Sequence, residues 1–148
     1  QVALKVAEMA AYYTVQGKTL LHALDELYEQ YGYYQEALVS KMFEGKDGQA
    51  QMQTILNSYR EKLPTEIADV AVVCVEDYLT GVATQHDGRR ETILLPRENV
   101  LKFILEDQSW IAIRPSGTEP KCKFYFGVVK GSKEQATEAI NRLKQYFA

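Results

Sequence analysis

Val2, Val6, Met9 and Tyr13 recur every three or four residues, the spacing that gathers apolar side chains on one face of an α-helix, so the first dozen residues are predicted to form an amphipathic helix. Gln16-Gly17-Lys18 interrupts it. Thr19 suits an N-cap, and Leu20, Leu24, Leu27, Tyr28 and Tyr31 then make a second helical stripe that Gly32 ends as a C′ residue. From Glu36 the period drops to two. Leu38, Ser40 and Met42 alternate with Val39, Lys41 and Phe43, which predicts a strand ending at Glu44-Gly45. Asp47 is placed to cap a third helix with the face Met52, Ile55, Leu56, Tyr59 and Leu63, and Pro64 stops it.

The second half is strand-like. Asp69 to Leu79 is rich in valine and predicts a buried strand, while Thr80 to Pro96 has turn signals at Gly81 and Asp87-Gly88 and is expected as a loop or hairpin. Leu101, Phe103 and Leu105 alternate with Lys102 and Ile104. Glu106-Asp107-Gln108 then turns the chain into Trp110 to Ile113, and Lys121 to Lys130 forms the last strand. Ser132 with Gln135 three residues on is a capping-box signature for a closing helix whose apolar face is Ala136, Ala139, Ile140, Leu143 and Phe147. Helices separated by a run of hairpin strands imply an α+β fold: an antiparallel sheet of about four to five strands with two helices on one face. The two opening helices stand outside that unit. The expected division is 1–35 for them and 36–148 for the α+β domain.

Composition supports a packed domain, with 46% hydrophobic and 25% charged residues among 148. Seventeen Lys and Arg against twenty Asp and Glu leave a net charge of −3 and a pI of about 5.5. That balance argues against nucleic acid, which requires a concentrated basic surface, but leaves room for one small phosphorylated ligand. Cys74 and Cys122 each lie in an apolar strand and are expected to be inert core thiols of a reducing compartment, not a disulfide or a metal site. No apolar run approaches a membrane span and no signal peptide opens the chain, so no membrane partner and a cytoplasmic location are expected. The first residue is Gln1, not Met, from which a piece of a longer protein is expected.

One segment concentrates chemistry. Arg114-Pro115-Ser116-Gly117-Thr118-Glu119-Pro120-Lys121 lies between two predicted strands. Arg114 offers a planar, permanently charged fork that matches two phosphate oxygens. Ser116 and Thr118 bring hydroxyl donors, and Gly117 lets the backbone turn tightly and approach an anion. Two prolines stiffen the loop, and Lys123 faces the same side as Lys121. On residues alone, a plain surface turn with Arg114 paired to Glu119 competes with anion binding.

This octapeptide, continuing into Cys122-Lys123-Phe124-Tyr125-Phe126, closely resembles the C-terminal phosphate loop of the α-D-phosphohexomutase family, which includes phosphoglucomutase, phosphomannomutase and phosphoglucosamine mutase. Asn99-Val100-Leu101-Lys102-Phe103, the Glu106-Asp107 turn and Trp110 resemble the strands leading into that loop in the phosphoglucomutase branch. Gln16 to Leu20 and Leu27 to Tyr33 look like the end of that branch's third domain.

The resemblance implies a TATA-box-binding-protein-like C-terminal domain preceded by two helices of the third domain. In the family a phosphoserine exchanges its phosphoryl group with a hexose phosphate through a hexose 1,6-bisphosphate. Mg²⁺ assists, and the last domain clamps the phosphate that is not reacting. Carried over, the clamp falls on Arg114, Ser116, Gly117, Thr118 and Lys123. The chain has no serine in the phosphoserine context, no Asp-Gly-Asp metal loop and no sugar-reading loop. It is therefore expected to hold no catalytic residue or cofactor itself, to be inactive alone and to need the three preceding domains as partners. The expected activity of the whole is interconversion of glucose 1-phosphate and glucose 6-phosphate. A stand-alone phosphosugar-binding module, a phosphomannomutase portion and a structural domain that lost its ligand are the rival readings. His22 and His86 are expected to be surface or interdomain residues, and the tyrosines at 12, 13, 31, 33 and 34 to pack between domains.

Overall fold

The computed structural model describes residues 1–44 and 47–147, and among these the chain forms four helices and eight strands. Helices α1 (Val2–Val15) and α2 (Leu20–Tyr31) come first. The Thr19 hydroxyl accepts from His22 N at 3.2 Å while the Thr19 amide donates to His22 Nδ1, so the N-terminus of α2 is closed reciprocally and His22 has a structural task. Gly32, at φ +100°, ends the helix.

Strand β1 (Tyr33–Met42) follows at once, three residues earlier than its alternation suggests, because Tyr33 already pairs with Lys130. The expected strand end at Gly45 lies outside the described residues. Helix α3 (Gly48–Glu61) leads into β2 (Glu66–Ile67), β3 (Val70–Asp77), β4 (Val82–Gln85), β5 (Arg90–Thr92), β6 (Leu101–Leu105), β7 (Trp110–Pro115) and β8 (Lys121–Lys130). Helix α4 (Lys133–Tyr146) closes the chain, its first turn capped by the Ser132 hydroxyl accepting from Gln135 N.

The strands run β1-β8-β7-β6-β3-β4-β5, with β2 on β3, and every pairing is antiparallel. The sheet has eight strands and not the expected four to five. In the segment 80–96 the hairpin alternative is the one realised, β4 pairing with β5, and this hairpin adds two strands to the expected number; β2 is too short to carry a period. The α+β class stands.

One sheet face carries the core. Leu101, Phe103, Leu105, Ile111, Ile113, Phe124 and Phe126 share it in register and are all buried. Met52 and Leu56 of α3, and Ala136, Ala139, Ile140 and Leu143 of α4, join the same cluster, so both helices cover that face. Cys122 lies in this core and burial pushes its thiol up to about 11, while Cys74 is likewise buried. The other face is open. There Trp110 lies over Gly127, whose missing Cβ would sit 2.3 Å from the ring. In contrast to α4, helix α1 buries no residue, and α2 buries only Ala23.

Candidate functional site

The loop from Ser116 to Pro120 is held at both ends by backbone. Ser116 N donates to Lys121 O at 2.7 Å and closes the β7–β8 hairpin, and Phe43 N donates to Pro120 O at 2.8 Å, which ties the loop to the end of β1. Inside it the Ser116 hydroxyl oxygen accepts from Thr118 N and Glu119 N at 3.4 and 3.3 Å. Ser116 thus organises the turn through its oxygen and keeps its own proton to donate. Gly117 has no positive φ, and no heavy atom lies within 4 Å of where its Cβ would be, so neither strain nor crowding requires glycine there. Its bareness leaves the backbone open to whatever approaches from solvent. The Thr118 hydroxyl is without a partner among the described residues.

Arg114 and Lys123 are direct cross-strand neighbours on β7 and β8. Side chains opposite each other in an antiparallel pair lie on one face, and like charges there repel. Among the described residues neither cation makes an ion pair; in particular Arg114 is not paired with Glu119. Other lysines of the same sheet are neutralised: Lys102 pairs with Glu76 at 3.2 Å, and Lys130 pairs with Asp107. Two adjacent uncompensated cations beside a bare loop suit a dianion.

A groove of about 580 Å³ opens beside the loop. Residues 114–117 form one wall, Gln49, Ala50, Met52 and Gln53 of α3 another, and Glu98 and Asn99, just before β6, complete it. The first turn of α3 brings the positive end of its dipole to this wall. Lys123 stands outside the groove lining, next to Arg114 by register. Gln49 and Asn99 escape sequence reasoning because they lie far from the loop along the chain and neither belongs to a periodic pattern. Arg60 of α3 is a further surprise. It pairs with Asp77 at 3.3 Å and donates to Asn99 Oδ1 at 2.7 Å, tying helix, sheet and groove wall together.

Elsewhere the structure offers less chemistry. An apolar recess of about 650 Å³ beside β3 is lined by Val72, Cys74 and His86 among others. Among the described residues no group of three or more His, Cys, Asp or Glu side chains is arranged to hold a metal ion. None of the described helices is long and apolar enough to cross a membrane.

A sequence model described as phosphoglucomutase/phosphomannomutase, C-terminal domain, matches residues 56–144, more than half of the chain. The chain belongs to this family. The matched stretch holds β2 to β8, the loop and most of α4 of this phosphoglucomutase/phosphomannomutase C-terminal domain. A phosphoglucomutase of Staphylococcus haemolyticus is 40% identical over 126 residues, which cover 84% of this chain and 23% of that protein. A phosphoglucomutase of Staphylococcus aureus is 33% identical over 144 residues, 97% of this chain and 26% of that protein. A third, from Staphylococcus saprophyticus, is 34% identical over 123 residues, 82% of this chain and 22% of that protein. The chain therefore spans about a quarter of the length of these relatives.

Proposed function

We propose that this C-terminal domain clamps the non-reacting phosphate of a phosphosugar within a phosphoglucomutase that interconverts glucose 1-phosphate and glucose 6-phosphate. The observation that carries the reading is the Arg114–Lys123 pair, two cations side by side with no carboxylate partner among the described residues, at the end of a loop rich in donors. Arg114 meets phosphate oxygens with a planar fork, Lys123 adds a point charge, and Ser116, Thr118 and the Gly117 amide supply short donors. Such a clamp acts by position. Fixing the remote phosphate sets the distance of the reacting oxygen, and orientation of that kind is worth several kcal/mol, roughly 7 to 11 in the best cases. It reads phosphate and little else, which suits a substrate that must be held by either end.

The names of the relatives favour glucose over mannose phosphate. On this reading the phosphoryl-carrying serine, the Mg²⁺ site, the passage through a hexose 1,6-bisphosphate and the sugar-reading loop belong to preceding domains of a longer cytoplasmic enzyme. Among the described residues no three potential ligands are grouped to hold such an ion. Taken alone the chain is expected to bind phosphate and to turn over nothing.

The test is a titration of isotopically labelled chain with glucose 1-phosphate and with inorganic phosphate, followed by amide NMR. Equal responses confined to residues 114–123, abolished by Arg114→Ala, are expected. Affinity is expected near the millimolar range, about 4 kcal/mol. A response spread elsewhere, or one that Arg114→Ala leaves intact, would sink the reading.

A further inference from the structure

Asn99 is fixed by a neighbour that removes one of its two possible orientations. Arg60 Nη2 lies 2.7 Å from Asn99 Oδ1. A guanidinium carries donors only, so the Asn99 atom that meets it has to be the carbonyl oxygen, whichever way an amide might otherwise be turned. Arg60 is itself held. Its Nε donates to Asp77 Oδ1 at 3.3 Å, its side chain is only 13% exposed, and Asp77 Oδ1 also accepts from Leu79 N at 3.1 Å. Helix α3 and strand β3 thus set the guanidinium, and the guanidinium sets the amide.

With Oδ1 occupied, the free end of Asn99 is the Nδ2 group and its two hydrogens. Asn99 is half-buried and lines the same groove as residues 114–117. From this geometry we infer that Asn99 is a further ligand of the clamped phosphate, donating from Nδ2, and that Arg60 is its positioning residue. The inference rests on the phosphate-clamp reading and deepens it. Asparagine suits the place because it adds two donors without a charge. Glu98 lines the same groove, and a neutral donor can accompany Arg114 without adding a further charge there.

The experiment uses inorganic phosphate and the labelled 148-residue chain, and observes both backbone amides and the Asn99 side-chain amide. Asn99 Nδ2 protons are expected to shift in step with the Gly117 amide. Asn99→Asp keeps the acceptor for Arg60, and hence the local fold, but replaces the Nδ2 donors with a carboxylate oxygen. It is expected to weaken phosphate binding by roughly tenfold or more, as loss of a charge-assisted hydrogen bond does. Arg60→Met is expected to weaken binding by a similar factor, and Arg60→Lys, which still donates to Oδ1, to restore most of it. If Arg60→Met loses the native spectrum, Asn99→Asp decides alone. Wild-type binding that Arg114→Ala abolishes but Asn99→Asp leaves unchanged, with the Asn99 signals still, overturns this inference and spares the clamp. Absence of phosphate binding by the wild type at tens of millimolar overturns both.

Discussion

Replacing Gly127 by alanine tests the open face of the sheet on which the cation pair stands. Gly127 on β8 is directly opposite Trp110 on β7, and an added Cβ would lie 2.3 Å from both Cε2 and Nε1 of the indole and 2.6 Å from Cζ2. Carbon atoms rest at about 3.5–4.0 Å, so three atoms of a rigid ring are overlapped by roughly 1 Å or more. The ring has to lift off the sheet or the strands have to part. Overpacking of this kind costs about 1–3 kcal/mol. Gly127 has no positive φ, so alanine recovers about 0.4–1 kcal/mol by restricting the unfolded chain. The net loss is expected at about 1–2 kcal/mol. At a urea slope of about 2 kcal/mol/M, the unfolding midpoint falls by roughly 0.5–1 M. Trp110 is the single tryptophan, so the same samples report on the ring directly: its emission should move to longer wavelength as it enters water. An unchanged midpoint with unchanged emission would refute the stacking of Trp110 on Gly127.

Other expectations follow from the same packing. Leu56, 1% exposed, docks α3 on the sheet, and Leu56→Ala is expected to cost about 2–5 kcal/mol in thermal unfolding and to weaken phosphate binding by loosening the groove wall; a change under 1 kcal/mol would speak against that docking. Cys122, whose thiol burial pushes up to about 11, should resist a thiol reagent at pH 8 in a Cys74→Ser background until urea unfolds the chain. Fast stoichiometric labelling of the native protein would contradict its place in the core. Burial raises the Asp107 carboxyl, but the Lys130 ammonium and the Ser109 amide outweigh it and hold the group below its usual value. A depressed carboxyl stabilises the fold above its unfolded pKa of about 4, and that gain is lost as pH falls through the folded value. Asp107→Asn should therefore be about 1 kcal/mol less stable than wild type at pH 7, with the gap closing at lower pH in urea titrations; a gap that widens in acid would reverse the argument.

Much of this protein is legible in one dimension. The stripe of α4, the Met52, Leu56 and Tyr59 part of the α3 stripe, the Thr19 and Ser132 caps and the alternation of β6 are local properties, set by covalent geometry and side-chain direction, and each reappears in space. Ile55 and Leu63 of the expected α3 face stay exposed, and Leu63 lies beyond the helix. The candidate loop stands out in one dimension too, because all but one of its singled-out residues lie within eight positions of each other. What had to await tertiary structure is non-local. The pairing of β1 with β8, about ninety residues apart, depends on which edge of the sheet is left free, and no period encodes that. The same holds for β4 and β5, whose short turn-flanked segments gain strand character only by extending a sheet already formed. Helix α1 forms as its spacing suggests, yet it buries none of its residues, and Val2, Val6 and Met9 of the expected face stay exposed, since periodicity states a need for burial and not what meets it. The register that sets Arg114 beside Lys123, the placement of α3 that brings Gln49 to the groove Asn99 also lines, and the contact of Arg60 with Asn99 were decided by packing. Single polar residues in loops and helix ends carry no pattern, and only the folded chain gives them neighbours.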